Sequence, residues 1–140
     1  MNKMIILQFL LVTAVFAAGF MAGEIRAAAR SKVFELRTYT TNDGKLGDLN
    51  KRFREHTISI FNRHGMKSVW YGVPQDAPLR DNTLIYMLEH ESREAARKSW
   101  DAFRADPEWK KVSAASEANG KIVSKIESVF LDPVDYSPLH

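Results

Sequence analysis

The segment TLIYMLEH, residues 83–90, has apolar side chains on both sides of a β-strand. Because successive side chains of a strand point to opposite sides, the segment presents two rows. The rows are Leu84, Tyr86 and Leu88 on one side and Thr83, Ile85 and Met87 on the other. Apolar rows on both sides are typical of strands that are covered on both faces. The chain is therefore expected to build a sheet in which neither face is left to water.

Three further strands and two helical regions surround this segment. Runs of apolar and β-branched residues that end at turn signals predict strands at residues 33–41, 66–73 and 121–131. Apolar residues at three- and four-residue spacing predict helices at residues 45–65 and 92–105, and Asp106-Pro107 restarts a helix that extends to about residue 119. The order β-α-β-β-α-β predicts a ferredoxin-like α+β subunit, with a four-stranded antiparallel sheet and its helices on one face.

The sheet face without helices is expected to bind a second copy of the chain. Trp70, Val129 and Leu131 add apolar area to the strands that flank residues 83–90. Uncovered apolar faces of this kind mark protein interfaces, and twofold dimers are the commonest oligomers. The sequence therefore predicts a homodimer.

The first 29 residues differ in kind from the rest of the chain. Lys3 precedes residues 4–23, which contain no charged side chain, and Ala27-Ala28-Ala29 follows. A positive start, an apolar stretch and an Ala-x-Ala site predict a signal peptide that is removed after Ala29, leaving a domain of residues 30–140. The alternative is an uncleaved membrane anchor at residues 4–23. Either way we predict an exported protein, periplasmic or secreted, that contacts a membrane only if this segment is retained.

Composition and motifs exclude several classes of function. The chain has no cysteine, which excludes disulfides and thiolate metal sites. Its net charge of +3 is too small to indicate nucleic-acid binding. It contains no Gly-rich phosphate loop, no His-Glu-x-x-His and no Gly-x-Ser-x-Gly. No metal or cofactor is predicted, and any site must be built from a weaker set of residues.

The strand FELRTYT places Glu35, Arg37 and Tyr39 in one polar row. Three interpretations remain open: a solvated face with cross-strand ion pairs, a buried network in an interface, or the polar wall of a ligand pocket. Trp70 is a further candidate ligand contact, with core or interface packing as the alternative.

His56 lies next to the apolar stripe of the first helix and is the candidate catalytic residue. It is expected either to be a half-buried histidine with a satisfied ring or to act as a general acid/base in a cleft between helix and sheet. His64 follows about 12 Å further along the helix axis, so the two histidines cannot share a metal by themselves.

Four segments resemble the NIPSNAP family in sequence and in order: FELRTYT, FREHTISIFNRHG, NTLIYMLEH and WDAFRADPEW. The resemblance covers residues 33–131 and implies a dimeric α+β barrel built from ferredoxin-like subunits. It implies no firm biochemical activity. Polar residues at positions that match the family are Glu35, Arg37, Tyr39, His56, Arg63, His64, Asp106 and Glu108. Ser59 stands where many members have proline.

Two functions follow from these observations. The first is a small-molecule-binding or interaction module, whose ligand is small and apolar or aromatic. The alternative is a cofactor-poor, monooxygenase-like oxidoreductase, because related barrel families hold ligands between helices and sheet. In that enzyme His56 would be the acid/base, Arg37 an anion clamp and Glu35 the partner that holds Arg37. A cavity that receives both His56 and Arg37 or Tyr39 would favour the enzyme.

Overall fold

The computed structural model describes residues 32–139, which form one antiparallel sheet with helices on one face. The strands are β1 (Val33–Thr41), β2 (Lys67–Gly72), β3 (Thr83–His90) and β4 (Val123–Leu131). Their order across the sheet is β2-β3-β1-β4, and all neighbours are antiparallel. This confirms the predicted ferredoxin-like fold. The predicted signal peptide at residues 1–29 and the boundary at residue 30 lie outside the described residues.

The helices begin and end close to their predicted positions. They are α1 (Leu46–Arg52), a π-helical turn (Phe53–Thr57), α2 (Ile58–Arg63), a 3₁₀ turn (Leu79–Asp81), α3 (Arg93–Ala105) and α4 (Pro107–Ser116). Ser92 caps α3 by accepting a hydrogen bond from the Ala95 backbone N–H at 3.0 Å. No helix among residues 32–139 is long and apolar enough to cross a membrane.

The predicted helix over residues 45–65 is interrupted by one wider turn. The backbone N–H of Ile58 donates to the carbonyl of Phe53, five residues earlier, which is the π-helical pattern. The hydroxyl of Thr57 also donates to the carbonyl of Arg52, at 3.2 Å, within this turn. Phe53 and Thr57 are buried, whereas Arg54 and Glu55 between them are exposed. The side chains of Phe53 and Thr57 in this turn therefore point toward the sheet.

The core lies between the sheet and the helices and is rich in aromatic rings. Tyr39 of β1 and Tyr86 of β3 meet at 5.3 Å between ring centroids. Phe53 of the π-helical turn contacts both of them, at 6.0 and 5.2 Å. Phe61 of α2 contacts Phe53 at 6.0 Å and Trp100 of α3 at 5.4 Å. This cluster attaches both helical regions to the central strands of the sheet.

The opposite side of the sheet, which we call the open face, carries no helix formed by residues 32–139. Residues paired across antiparallel strands point to the same side. The strand register therefore sets one row across all four strands: Trp70, Met87, Leu36 and Val129. Trp70 is 54% exposed and Val129 53% exposed. Gly72 leaves room for the indole of Trp70, because a Cβ at that position would overlap the ring.

Candidate functional site

Glu35 is the centre of a buried polar network. Its side chain is 1% exposed and lies on the helix-facing side of the sheet. One carboxylate oxygen accepts hydrogen bonds from Arg37 Nη1 at 2.6 Å and Ser128 Oγ at 2.7 Å. The other accepts from His90 Nε2 at 3.0 Å and Trp100 Nε1 at 2.7 Å. One side chain thus connects β1 to β3, β4 and α3.

These hydrogen bonds keep the Glu35 carboxyl ionised. Burial raises its pKa, but the bonds from His90, Ser128, Trp100 and Arg37 outweigh burial and lower the pKa to about 2. The charge is therefore paired and fully hydrogen-bonded at neutral pH, as a buried carboxylate must be.

Arg37 completes the polar row. Its Nη2 lies 3.3 Å from the Tyr39 hydroxyl, and its guanidinium sits 4.1 Å above the Trp100 ring. Its Nε is buried and has no hydrogen-bond partner among the described residues. The row is a buried network inside the subunit, beneath α3, and is not a solvated face. His90, Trp100 and Ser128 belong to it, and sequence reasoning did not find them. The strand register pairs Ser128 with Arg37, but register is not readable from residue types alone.

A cavity of about 360 Å³, the aromatic cleft, opens beside this network between the helices and β4. Its aromatic lining consists of Tyr39, Phe53, Phe61, Phe103 and Trp109. The π-helical turn supplies both Phe53 and Thr57 to the wall. Single π-helical turns inside helices are frequent at functional sites.

Arg52 closes one end of the aromatic cleft. It is 6% exposed, donates to Ser116 Oγ at 3.2 Å, and lies 3.6 Å from a carboxylate oxygen of Glu117. Its guanidinium is 5.3 Å from the centroid of the Trp109 ring, and its buried Nε has no hydrogen-bond partner within residues 32–139. Burial lowers the pKa of Arg52, and Glu117 opposes that effect. The cleft therefore has an apolar interior and one incompletely satisfied cationic end.

A second polar cluster joins the end of α2 to the start of α4. Asp106 Oδ2 accepts from Arg63 Nη2 at 2.8 Å and lies 2.6 Å from His64 Nε2. Its Oδ1 accepts the backbone N–H of Glu108 at 2.8 Å, so Asp106 is also the N-cap of α4. Arg63 and then His64 hold the pKa of Asp106 well below its usual range. These family-like residues therefore have a structural role.

Two substitutions at Asp106 distinguish the contribution of the helix cap to stability from the contribution of the charge. Asn caps a helix as well as Asp does but carries no charge, whereas Ala provides neither the cap nor the charge. We expect Asp106→Asn to lower the melting temperature and Asp106→Ala to lower it further, as measured by circular dichroism. Equal melting temperatures for the two variants would show that the cap contributes nothing.

His56 and Trp70 lie apart from the polar row. The His56 side chain is 43% exposed, 3.9 Å from Glu55, and lines a groove of about 580 Å³ between α1 and α4. This outward position follows from the π-helical turn, whose buried residues are Phe53 and Thr57. Trp70 is on the open face. Of the predicted site residues, the structure joins only Glu35, Arg37 and Tyr39, and no cavity described among residues 32–139 is lined by His56 together with Arg37 or Tyr39.

Acidic and histidine side chains do not gather into a metal site within residues 32–139, where no group of three or more such ligands is close enough together.

Comparisons with known proteins agree with this architecture. No curated protein sequence matches the chain. The structure is similar to a NIPSNAP family protein of unknown function from Agrobacterium tumefaciens, with 21% identity, a TM-score of 0.67 and coverage of 78% of this chain and 94% of the other. It is similar to a NIPSNAP-like domain protein from Burkholderia xenovorans, with 19% identity, a TM-score of 0.66 and coverage of 76% and 89%.

A more distant similarity links the same fold to an enzyme. SnoaB, a cofactor-independent oxygenase from Streptomyces nogalater, has 17% identity, a TM-score of 0.52 and coverage of 77% of this chain and 98% of its own. At this identity the likeness shows the fold alone. The family model of NIPSNAP matches residues 34–138, which is most of the chain, and this protein therefore belongs to the NIPSNAP family.

Proposed function

We propose that this protein is a small-molecule-binding homodimer that holds an apolar or aromatic ligand in the aromatic cleft. One observation carries the proposal. Ile126 is paired with Tyr39 and therefore lies on the helix-facing side of the sheet, yet it is 51% exposed. The helices stop short of β4, so the aromatic core opens to solvent beside Ile126 instead of closing over it.

The cleft has the size and lining that a small ligand needs. Ligand sites are typically apolar cavities of about 300–1,000 Å³ with a few polar groups, and this cleft has about 360 Å³. Its polar groups lie around the aromatic lining: Arg52, Glu117, Lys121 and Lys125. Aromatic walls favour flat ligands through stacked and edge-to-face contacts.

The test blocks the mouth of the cleft. N-phenyl-1-naphthylamine is uncharged and becomes fluorescent in apolar surroundings, so it serves as the probe. We expect Ile126→Trp to fill the opening and to weaken probe binding by about tenfold or more. The apolar contact that the probe would lose contributes over about 1 kcal/mol to its binding free energy. Ile126→Val, the matched control, should bind within about twofold of the unmodified protein.

Equal probe affinity in all three proteins would overturn this location of the site. Circular dichroism of each variant checks that folding is retained, which we expect because residue 126 is half-exposed.

The same proposal assigns the open face to the second subunit. The row Trp70, Met87, Leu36 and Val129 gives this face an apolar centre. Two ion pairs flank it, Lys67 with Glu89 at 3.1 Å and Lys125 with Glu127 at 2.9 Å. An apolar centre with charges of both signs around it is the composition of a self-complementary interface.

A further inference from the structure

A third cavity, which we call the arginine pocket, lies beside α3 and has about 430 Å³. Four arginines and two aromatic residues contribute to its lining: Arg37, Arg93, Arg97, Arg104, Trp100 and Phe130. None of these residues lines the aromatic cleft. The helical spacing of residues 93, 97, 100 and 104 places that part of the lining along one face of α3.

The acidic residues of the arginine pocket do not neutralise it. The Glu35 carboxylate is occupied by its four donors and pairs with Arg37. Glu94 pairs with Lys98 at 2.9 Å, so its charge is already balanced. Arg104 is paired with Asp101 at 2.6 Å.

Arg93 and Arg97 have no ion-pair partner of their own in the described part of the chain. Within residues 32–139 neither makes an ion pair, and they are four residues apart on the same helix. Like charges at this spacing repel each other, and a cation in the first turn of a helix also opposes the helix dipole. A bound anion would relieve both effects.

The pocket also offers apolar surfaces next to these charges. The Arg93 guanidinium lies 4.6 Å from the centroid of the Phe130 ring. The Arg37 guanidinium covers Trp100, and its buried Nε has no hydrogen-bond partner in the part of the chain that the structure describes. Guanidinium groups match the geometry of phosphate and carboxylate oxygens, and several of them together favour a dianion.

We propose that the arginine pocket binds a small aromatic phosphate monoester, with the phosphate at Arg93 and Arg97 and the ring beside Phe130. This is a second site, separate from the apolar ligand of the aromatic cleft. The phosphate would compensate the two free charges, and the ring would cover the exposed side of Phe130.

Calorimetric titration of the full chain with phenyl phosphate tests the proposal. We expect saturable binding that weakens about tenfold in Arg97→Gln and in Arg93→Gln, and that weakens as salt is raised. Arg54→Gln is the matched control, because Arg54 is exposed on the π-helical turn and makes no ion pair within residues 32–139. It should bind phenyl phosphate within about twofold of the unmodified protein.

Two comparisons complete the test. Inorganic phosphate should bind more weakly than phenyl phosphate, because it lacks the ring. Arg97→Gln should leave the binding of N-phenyl-1-naphthylamine unchanged, which separates this site from the aromatic cleft. No binding of phenyl phosphate, equal affinity for inorganic phosphate, or an equal loss in Arg54→Gln would overturn the proposal.

Discussion

Glu35→Gln is expected to destabilise the folded protein by about 3 kcal/mol at neutral pH, although the side chain keeps its size. Glutamine cannot neutralise the buried Arg37 guanidinium, which Glu35 contacts at 2.6 Å. It also carries an NH₂ group, which cannot accept the hydrogen bonds that Glu35 receives from four donors. Removing one partner of a buried pair costs more than the pair contributed, since the remaining charge stays buried. Denaturant unfolding measures the loss.

The loss should depend on pH in a defined direction. The Glu35 pKa is lowered from 4.5 to about 2 on folding. Its contribution is therefore fully present above pH 4.5 and is lost as the pH falls through about 2. The difference in unfolding free energy between the unmodified protein and Glu35→Gln should accordingly shrink over that range.

The matched control is Glu94→Gln, because Glu94 is exposed on α3 and pairs with Lys98 at 2.9 Å. Exposed ion pairs contribute about 0–1 kcal/mol, so this variant should unfold nearly as the unmodified protein does. If Glu35→Gln behaved like Glu94→Gln, Glu35 would not be the centre of the network.

Val129→Glu is expected to dissociate the proposed dimer. Val129 is 53% exposed in the single subunit and ends the apolar row of the open face. Twofold symmetry would place two new carboxylates in one interface, and burying an unpaired charge costs several kcal/mol. The dimer dissociation constant should rise by about 100-fold or more, which sedimentation equilibrium measures.

Ala114→Glu introduces the same charge on the exposed surface of α4 and serves as the control. It should sediment as the unmodified protein does. A monomeric unmodified protein, or equal association in Val129→Glu and Ala114→Glu, would contradict the assignment of the open face to a second subunit.

The fold was predictable because alternation and helical spacing are local signals. The two apolar rows of residues 83–90 predicted a strand covered on both faces. β3 is an inner strand of the sheet, and its second face is covered only in the proposed dimer. The site was less predictable. In β1, the row with Leu36 looks more suited to the core than the row with Glu35, yet Glu35 faces the helices. Its burial depends on donors from β3, β4 and α3, which are distant in sequence.

His56 lies apart from the polar row among the described residues. The predicted apolar stripe of this helix held Phe53 and Thr57, and both are buried in the π-helical turn, whereas His56 beside them lines an outer groove. No residue pattern in FREHT indicates such a turn. The oxidoreductase alternative needed His56 beside Arg37 or Tyr39, and the geometry does not bring them together.

Native mass spectrometry of the protein purified from its own cells tests the central claim, that a dimer holds a small apolar molecule. We expect a dimer whose mass includes a small molecule that is released on denaturation. A bare monomer, or a dimer that stays empty even after incubation with N-phenyl-1-naphthylamine, would contradict the claim.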